Sequence, residues 1–174
     1  HSCFAISAIQ VQHILDLEAI WYIANDGTVT LELEGKRNTV FPFLPRLGLR
    51  FFLPKEYSMV NCLGYGPNES YIDKRRSSWF ARFNAEVNDM HVDYIKPQEN
   101  SSHYGCTEVT LSSSYGRNIH ITADAPFSMN ASKYTQEELS SKAHNYELNT
   151  SDSTVFCIDY KMSGVGSNSC GPAL

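Results

Sequence analysis

The residues able to do chemistry are spread along this chain rather than gathered in one short motif. Glu69 and Asp73 lie four residues apart, and two neighbouring carboxyls can divide the work of an acid and a base. Sequence spacing does not fix their separation in space, so anchoring of a loop remains the alternative reading. Asn100, His103 and Tyr104 can donate, accept or stack, which suits a polar ligand or the hydrogen bonds that hold a loop in place. Arg46 sits inside an apolar run and can be buried only where an acid pairs with it. A structural ion pair is the plainer reading of it, and a ligand contact the other.

Metal and thiol chemistry find less support. No HxH or HExxH spacing occurs, and His91, His103, His120 and His144 fall in different segments. The cysteines, Cys3, Cys62, Cys106, Cys157 and Cys170, include no CxxC. An odd, scattered set in a chain able to build its own core reads as buried, reduced thiols of a cytosolic protein. Four Asn-x-Ser/Thr tripeptides, at Asn68, Asn100, Asn130 and Asn149, matter only in a secreted protein, and no signal peptide is legible. The apolar run at 3–9 is too short to span a bilayer, so no membrane partner is expected.

Composition bounds the rest. Fourteen basic against 19 acidic residues leave a net charge of −5, which argues against a nucleic-acid surface. The one dense basic run, Lys74, Arg75 and Arg76, reads as a solvated turn. A length of 174 residues with 42% hydrophobic side chains suits one globular domain with a real core. No repeat or low-complexity tract divides it.

The elements that must position these groups read mostly as strands. Residues 20–23 and 29–34 flank an Asp26-Gly27 turn, a hairpin signal because glycine supplies positive φ without strain. Val29, Leu31 and Leu33 alternate with Thr30, Glu32 and Glu34, as in a sheet with one wet face. Further strands are expected at 48–53, 57–64, 106–112, 118–123 and 153–160, separated by Pro, Gly and Asn. Many short strands suggest an antiparallel β-sandwich or barrel. Pro42 and Pro45 suit the lead-in to an edge strand, since neither can donate to a ladder. One short helix is expected near 135–143, where Thr135 and Glu138 form a capping box. The Gly/Ser-rich stretch after the last strand, and His1-Ser2 with no evident structural role, suggest a piece of something longer.

Five motifs in one order carry a resemblance. Residues 41–50, FPFLPRLGLR, resemble the PFLPRxGLR signature of the small-chain domain of family 2 β-galactosidases. Residues 64–73, GYGPNESYID, are similar to that family's GxGPxExYxD, and 94–105, YIKPQENSSHYG, to its YxxPxENGxxxG. Residues 127–135, FSMNASKYT, look like the stretch before the family's short helix, and 164–172, GVGSNSCGP, like its terminal loop. Any one alone is weak; together they are specific.

The resemblance implies a large galactose-mutarotase-like supersandwich, here truncated, serving a retaining β-galactosidase that cleaves terminal β-D-galactosides such as lactose. Its nucleophile and acid/base glutamates, ~5–5.5 Å apart in such enzymes, belong to a preceding barrel domain. So do the implied Mg²⁺ and Na⁺ sites; no cofactor is expected in this chain, which is expected to be inactive alone. The implied partners are a galactoside substrate held with that barrel and other subunits of a homo- or hetero-oligomer. The terminal loop would line the pocket through Ser167, Asn168, Ser169 and Cys170, with Cys170 standing where well-studied members have a tryptophan. Arg46, Glu69, Glu99, Asn100 and His103 are expected to be structural or to face a neighbouring domain. Two other readings remain, a free-standing aldose epimerase with a convergent His and Glu, and a carbohydrate-binding module. The latter needs exposed aromatics on one strand face, company that Trp21 and Trp79 lack in the sequence.

Overall fold

The computed structural model describes residues 1–7, 12–41 and 43–164. Two compact units divide it after Phe43. The first unit is an antiparallel sheet in the order β1 (Ser2–Ser7), β2 (His13–Ile23) and β3 (Val29–Arg37). Its β2–β3 hairpin turns at the expected Asp-Gly. Gly27 takes a φ of +89°, and the Thr28 amide donates to Asp26 Oδ1 at 2.9 Å. The strands then pair outward from Ile23 opposite Val29. This register sets Leu15, Leu17, Ala19, Trp21 and Ile23 on one face, with Leu31 and Leu33 beside them.

The second unit carries β4 (Arg46–Pro54), β5 (Tyr57–Gly66), β6 (Trp79–Glu86), β7 (Ser102–Ser113), β8 (Asn118–Ser132) and β9 (Ser153–Met162). All pairings are antiparallel, in the order β4-β9-β8-β7-β5-β6. Pro45 therefore leads into an edge strand, as its missing N–H requires; Pro42 lies outside the described residues.

The order has a geometric consequence. β4 and β5 lie four sheet positions apart, about 19 Å in a flat sheet with strands ~4.8 Å apart. Pro54 and Tyr57 are joined by three residue steps, which span at most about 11 Å. The sheet must curl, and it does so around one apolar cluster. Phe51 and Leu53 from β4 and Tyr57 from β5 pack on the same buried set, which includes Val60, Val109, Leu111, Met129 and Phe156.

The mostly β, antiparallel class read from the sequence is the one observed. Every strand expected in the second unit is present, and β8 and β9 run further than expected. Sequence reading missed β1 and β6. The one α-helix among the described residues, α1 (Gln136–Ser141), starts where Thr135 Oγ1 accepts from the Glu138 amide at 3.1 Å. The reciprocal half of the box does not form. Glu138 Oε1 instead takes the amide and side chain of Asn149, at 2.8 and 3.2 Å. No helix among the described residues is long and apolar enough to cross a membrane.

Candidate functional site

The motif loops converge at one end of the six-stranded sheet. The turn that leaves β5 at Gly66 and the strand start at Ser102 are stitched together by Ser70. Its amide donates to the Ser102 carbonyl at 2.7 Å, its hydroxyl donates to the Tyr65 carbonyl at 2.9 Å, and the Tyr104 amide donates to that hydroxyl at 2.8 Å. His103 completes the stitch, with Nδ1 3.0 Å from the Tyr65 carbonyl. Against a carbonyl this nitrogen must be the donor. Burial holds His103 below its ordinary value of 6.5, so it is a neutral anchor.

Glu69 is the hub of the turn. It is 8% exposed, and its carboxylate accepts from Lys74 Nζ, from Tyr94 Oη and, at 3.0 Å, from the Ser101 amide. The Lys74–Arg76 run is thus partly spent on contacts rather than being a plain solvated turn. Lys74 serves Glu69, and the Arg75 guanidinium lies 4.8 Å over the Tyr104 ring. A carboxylate so occupied is a clamp and not a poised acid.

Ser101 reports how tightly the clamp is set. Among the described residues it is the one non-glycine at positive φ, +67°, a conformation that costs a residue with a Cβ about 1–2 kcal/mol. The signal was present in the sequence: Ser101 stands where the resembling motif, YxxPxENGxxxG, has glycine. Its amide bond to Glu69 and its hydroxyl bond to Asn100 Oδ1 hold it there. Asn100 in turn donates weakly to the Gln98 carbonyl at 3.3 Å, and its own carbonyl accepts from Asn130 of β8. Asn100 and Asn130 are 1% and 2% exposed, so two of the four sequons cannot be reached in the folded chain.

Beside this clamp lies a charged one. Arg46 donates Nε to Asp159 Oδ1 at 2.6 Å and Nη2 to Oδ2 at 2.8 Å, a two-pronged fork, while Nη1 reaches Glu99 Oε2 at 3.0 Å. Burial works against the guanidinium charge, but the two acids outweigh it and hold Arg46 firmly protonated. Burial also pushes Asp159 above the usual carboxylate value, with the Arg46 fork pulling back. Glu99 is pushed up by burial against the pull of Arg46, and Asp159 and Glu69 add to the push. A Cβ at Gly48 would meet the Ile158 carbonyl at 2.3 Å and Asp159 Oδ1 at 2.5 Å, so glycine is what lets β4 run this close to β9 where it is bulged between Leu47 and Gly48.

Several buried oxygens around the clamps have no hydrogen-bond partner: Tyr71 Oη, Glu99 Oε1, Ser102 Oγ and Asn130 Oδ1. Burial, then Glu99 and Glu69, keep the Tyr71 phenol protonated. A shallow cavity of about 320 Å³ opens beside Arg46, Arg50, Gln136 and Cys157. Burial pushes the Cys157 thiol to about 11, so it offers no thiolate near neutral pH. Cys3, Cys62, Cys106 and Cys157 are free thiols, and Cys3 is exposed where a buried role was expected.

The structure therefore brings together Arg46, Glu69, Glu99, Asn100 and His103, each as an anchor. Asp159, Tyr94 and Asn130 complete the arrangement and were missed because their partners lie far away in the sequence, whereas Lys74, five residues from Glu69, was read only as part of a solvated turn. Ser167, Asn168, Ser169 and Cys170 lie outside the described residues, and the last described position ahead of them is Gly164. Trp79 has company after all, with Phe83 edge-on at 5.7 Å, and Phe80 meets Tyr65 edge-on at 5.8 Å. Within each pair the rings meet edge to face, and the Arg75 guanidinium lies over Tyr104. The grouped metal-ligand types among the described residues, His1, Cys3 and Glu18, are exposed and mix a thiol and an imidazole with one carboxylate. That set does not fit Mg²⁺ or Na⁺, which take oxygen ligands.

A β-galactosidase of Actinobacillus pleuropneumoniae is 48% identical over 170 residues, 98% of this chain and 16% of that protein. A β-galactosidase of Staphylococcus xylosus is 37% identical over 154 residues, covering 88% of this chain and 15% of its own length. One of Streptococcus thermophilus is 32% identical over 139 residues, or 79% and 13%. The chain thus spans no more than 16% of the length of these relatives. The family described as beta galactosidase small chain matches residues 2–174, and this chain belongs to it.

Proposed function

We propose that this chain is a non-catalytic domain of a family 2 retaining β-galactosidase, one that completes the substrate pocket beside a catalytic barrel. Its carboxylates support the reading. Glu69 is filled by three donors and Asp159 by a two-pronged arginine, whereas a retaining glycosidase needs one carboxylate free to attack and a second free to exchange a proton. The substrates in this reading are terminal β-D-galactosides such as lactose. Mg²⁺ and Na⁺ belong to the barrel, and the whole enzyme is a cytosolic homo- or hetero-oligomer. The segment carrying Ser167, Asn168, Ser169 and Cys170 forms the aglycone side of the pocket.

The test compares the 174-residue chain with the longer protein that carries it, on a chromogenic galactoside. The longer protein is expected to turn over and the chain alone to stay at the buffer rate. Hydrolysis by the chain alone, lost in Glu69→Gln, overturns the proposal.

A further inference from the structure

The clamp end of the six-stranded sheet gathers more negative charge than positive. Glu69, Glu99 and Asp159 stand there as three carboxylates, and the cations bonded to them are Arg46 and Lys74. Three negative charges against two positive ones leave one negative charge over, and the Lys74 side chain is itself half in solvent. Asp159 is 2% exposed and Glu69 8%, so water screens the excess poorly, and an uncompensated buried charge is costly. The excess falls on Glu99. Asp159 has a two-pronged guanidinium and Glu69 has three donors. Glu99 has one arm of Arg46 at Oε2, and its Oε1 is buried without a partner.

Three further unpartnered oxygens stand around this carboxylate, Tyr71 Oη, Ser102 Oγ and Asn130 Oδ1, on residues that are 2%, 1% and 2% exposed. Ser102 and Asn130 are directly opposite in the β7–β8 ladder and share one face of the sheet. Asp159, opposite Ser128, carries the Arg46 fork on that same face. The Asn130 side chain reaches the residue after Glu99, donating to the Asn100 carbonyl. Tyr71 follows Ser70, whose amide holds the Ser102 carbonyl at 2.7 Å. Of the charges around the Tyr71 phenol, Glu99 acts on it most strongly.

We propose that Glu99 Oε1, Tyr71 Oη, Ser102 Oγ and Asn130 Oδ1 bind a monovalent metal cation, Na⁺ or K⁺. All four ligands are oxygens, the type that hard cations take. One carboxylate among three neutral oxygens gives the site a single negative charge, equal to the charge left over; a divalent ion would reverse the excess. The site is separate from the cations assigned above to the barrel, and it does not depend on galactoside cleavage.

The experiment uses the longer protein that carries this chain. Its crystals are soaked in Tl⁺, a heavy stand-in for Na⁺ and K⁺, and read by anomalous scattering. Amide exchange at residues 99–102 is followed by mass spectrometry in Na⁺, K⁺ or tetramethylammonium at one ionic strength, which holds screening fixed. A Tl⁺ peak among the four oxygens is expected. Exchange should be slower in Na⁺ or K⁺ than in tetramethylammonium, by about tenfold at a cation concentration ten times Kd. Tyr71→Phe and Ser102→Ala, each removing one oxygen and little else, should shrink that factor, and Glu99→Gln should abolish it. The soak of the unmutated protein decides the matter where a variant fails to fold. No anomalous peak at these oxygens, or equal exchange in all three salts, overturns the proposal and leaves them to a buried water. If Glu99→Gln exchanges in every salt as slowly as the parent does in Na⁺, Glu99 carries a proton in place of a cation, and the proposal fails.

Discussion

The two sheets are written in the same alternating pattern and end in different states. On the apolar face of β2 and β3, Leu15 and Ala19 are buried, but Trp21, Ile23, Val29 and Leu33 on the same face remain exposed. In the six-stranded sheet Val109, Leu111 and Met129 are fully buried and Phe156 nearly so. Alternation chooses the side on which apolar residues stand; it does not supply what covers them. The longer sheet supplies its own cover by curling, so that its first strand meets the start of β5. A three-stranded sheet has too few strands to close on itself.

Substitutions sharpen this contrast, beginning with the largest effect. Asp159→Ala leaves the Arg46 fork without its main acceptor, and breaking a buried pair costs about 3–5 kcal/mol, read as a lowered urea midpoint. Glu99→Gln, at the singly bonded arm, should cost distinctly less. Equal losses for the two would show that the fork is not the dominant contact.

Core truncation comes next. Met129→Ala should cost about 2–5 kcal/mol. Leu33→Ala, a truncation of similar size at an exposed position of the first sheet, should stay within roughly 0.5 kcal/mol. A large effect at Leu33 would mean that the first sheet has cover of its own. The helix cap falls between these two, with Thr135→Ala expected to cost ~1 kcal/mol in the same assay.

The pH dependence follows from sign. His103 is held below 6.5 by burial, so its contribution to stability is full above 6.5 and fades as pH falls through the folded value. Glu99 is raised above 4.5; its contribution is full below 4.5 and fades as pH rises through the folded value. Urea midpoints measured from pH 7 to pH 4 should fall on the acid side, less steeply in His103→Gln and more steeply in Glu99→Gln. Identical slopes in all three proteins would remove both assignments. The smallest effect is expected at Ser101→Gly. Relief of a left-handed serine is worth ~1–2 kcal/mol, and it is offset by about 1 kcal/mol for the lost hydroxyl bond and by ~0.4–1 kcal/mol for a freer unfolded chain.

By itself the sequence determined what short-range physics controls. The Asp26-Gly27 turn, the N-cap at Thr135, the edge position after Pro45 and most of the strands of the larger sheet follow from conformational preferences and periodicities acting over a few residues. It also determined that Arg46 could be buried only with an acid, because an unpaired guanidinium in an apolar run is too costly. Tertiary structure decided which acid. Asp159 is 113 residues away and reaches Arg46 only because β4 and β9 are neighbours, and Glu99 comes from a different loop. The same non-local order turned Glu69 from a possible acid into a filled clamp and hid Asn100 and Asn130. The identity of a partner depends on strand order, and strand order is settled by closing a curled sheet around one core, which no window of sequence contains.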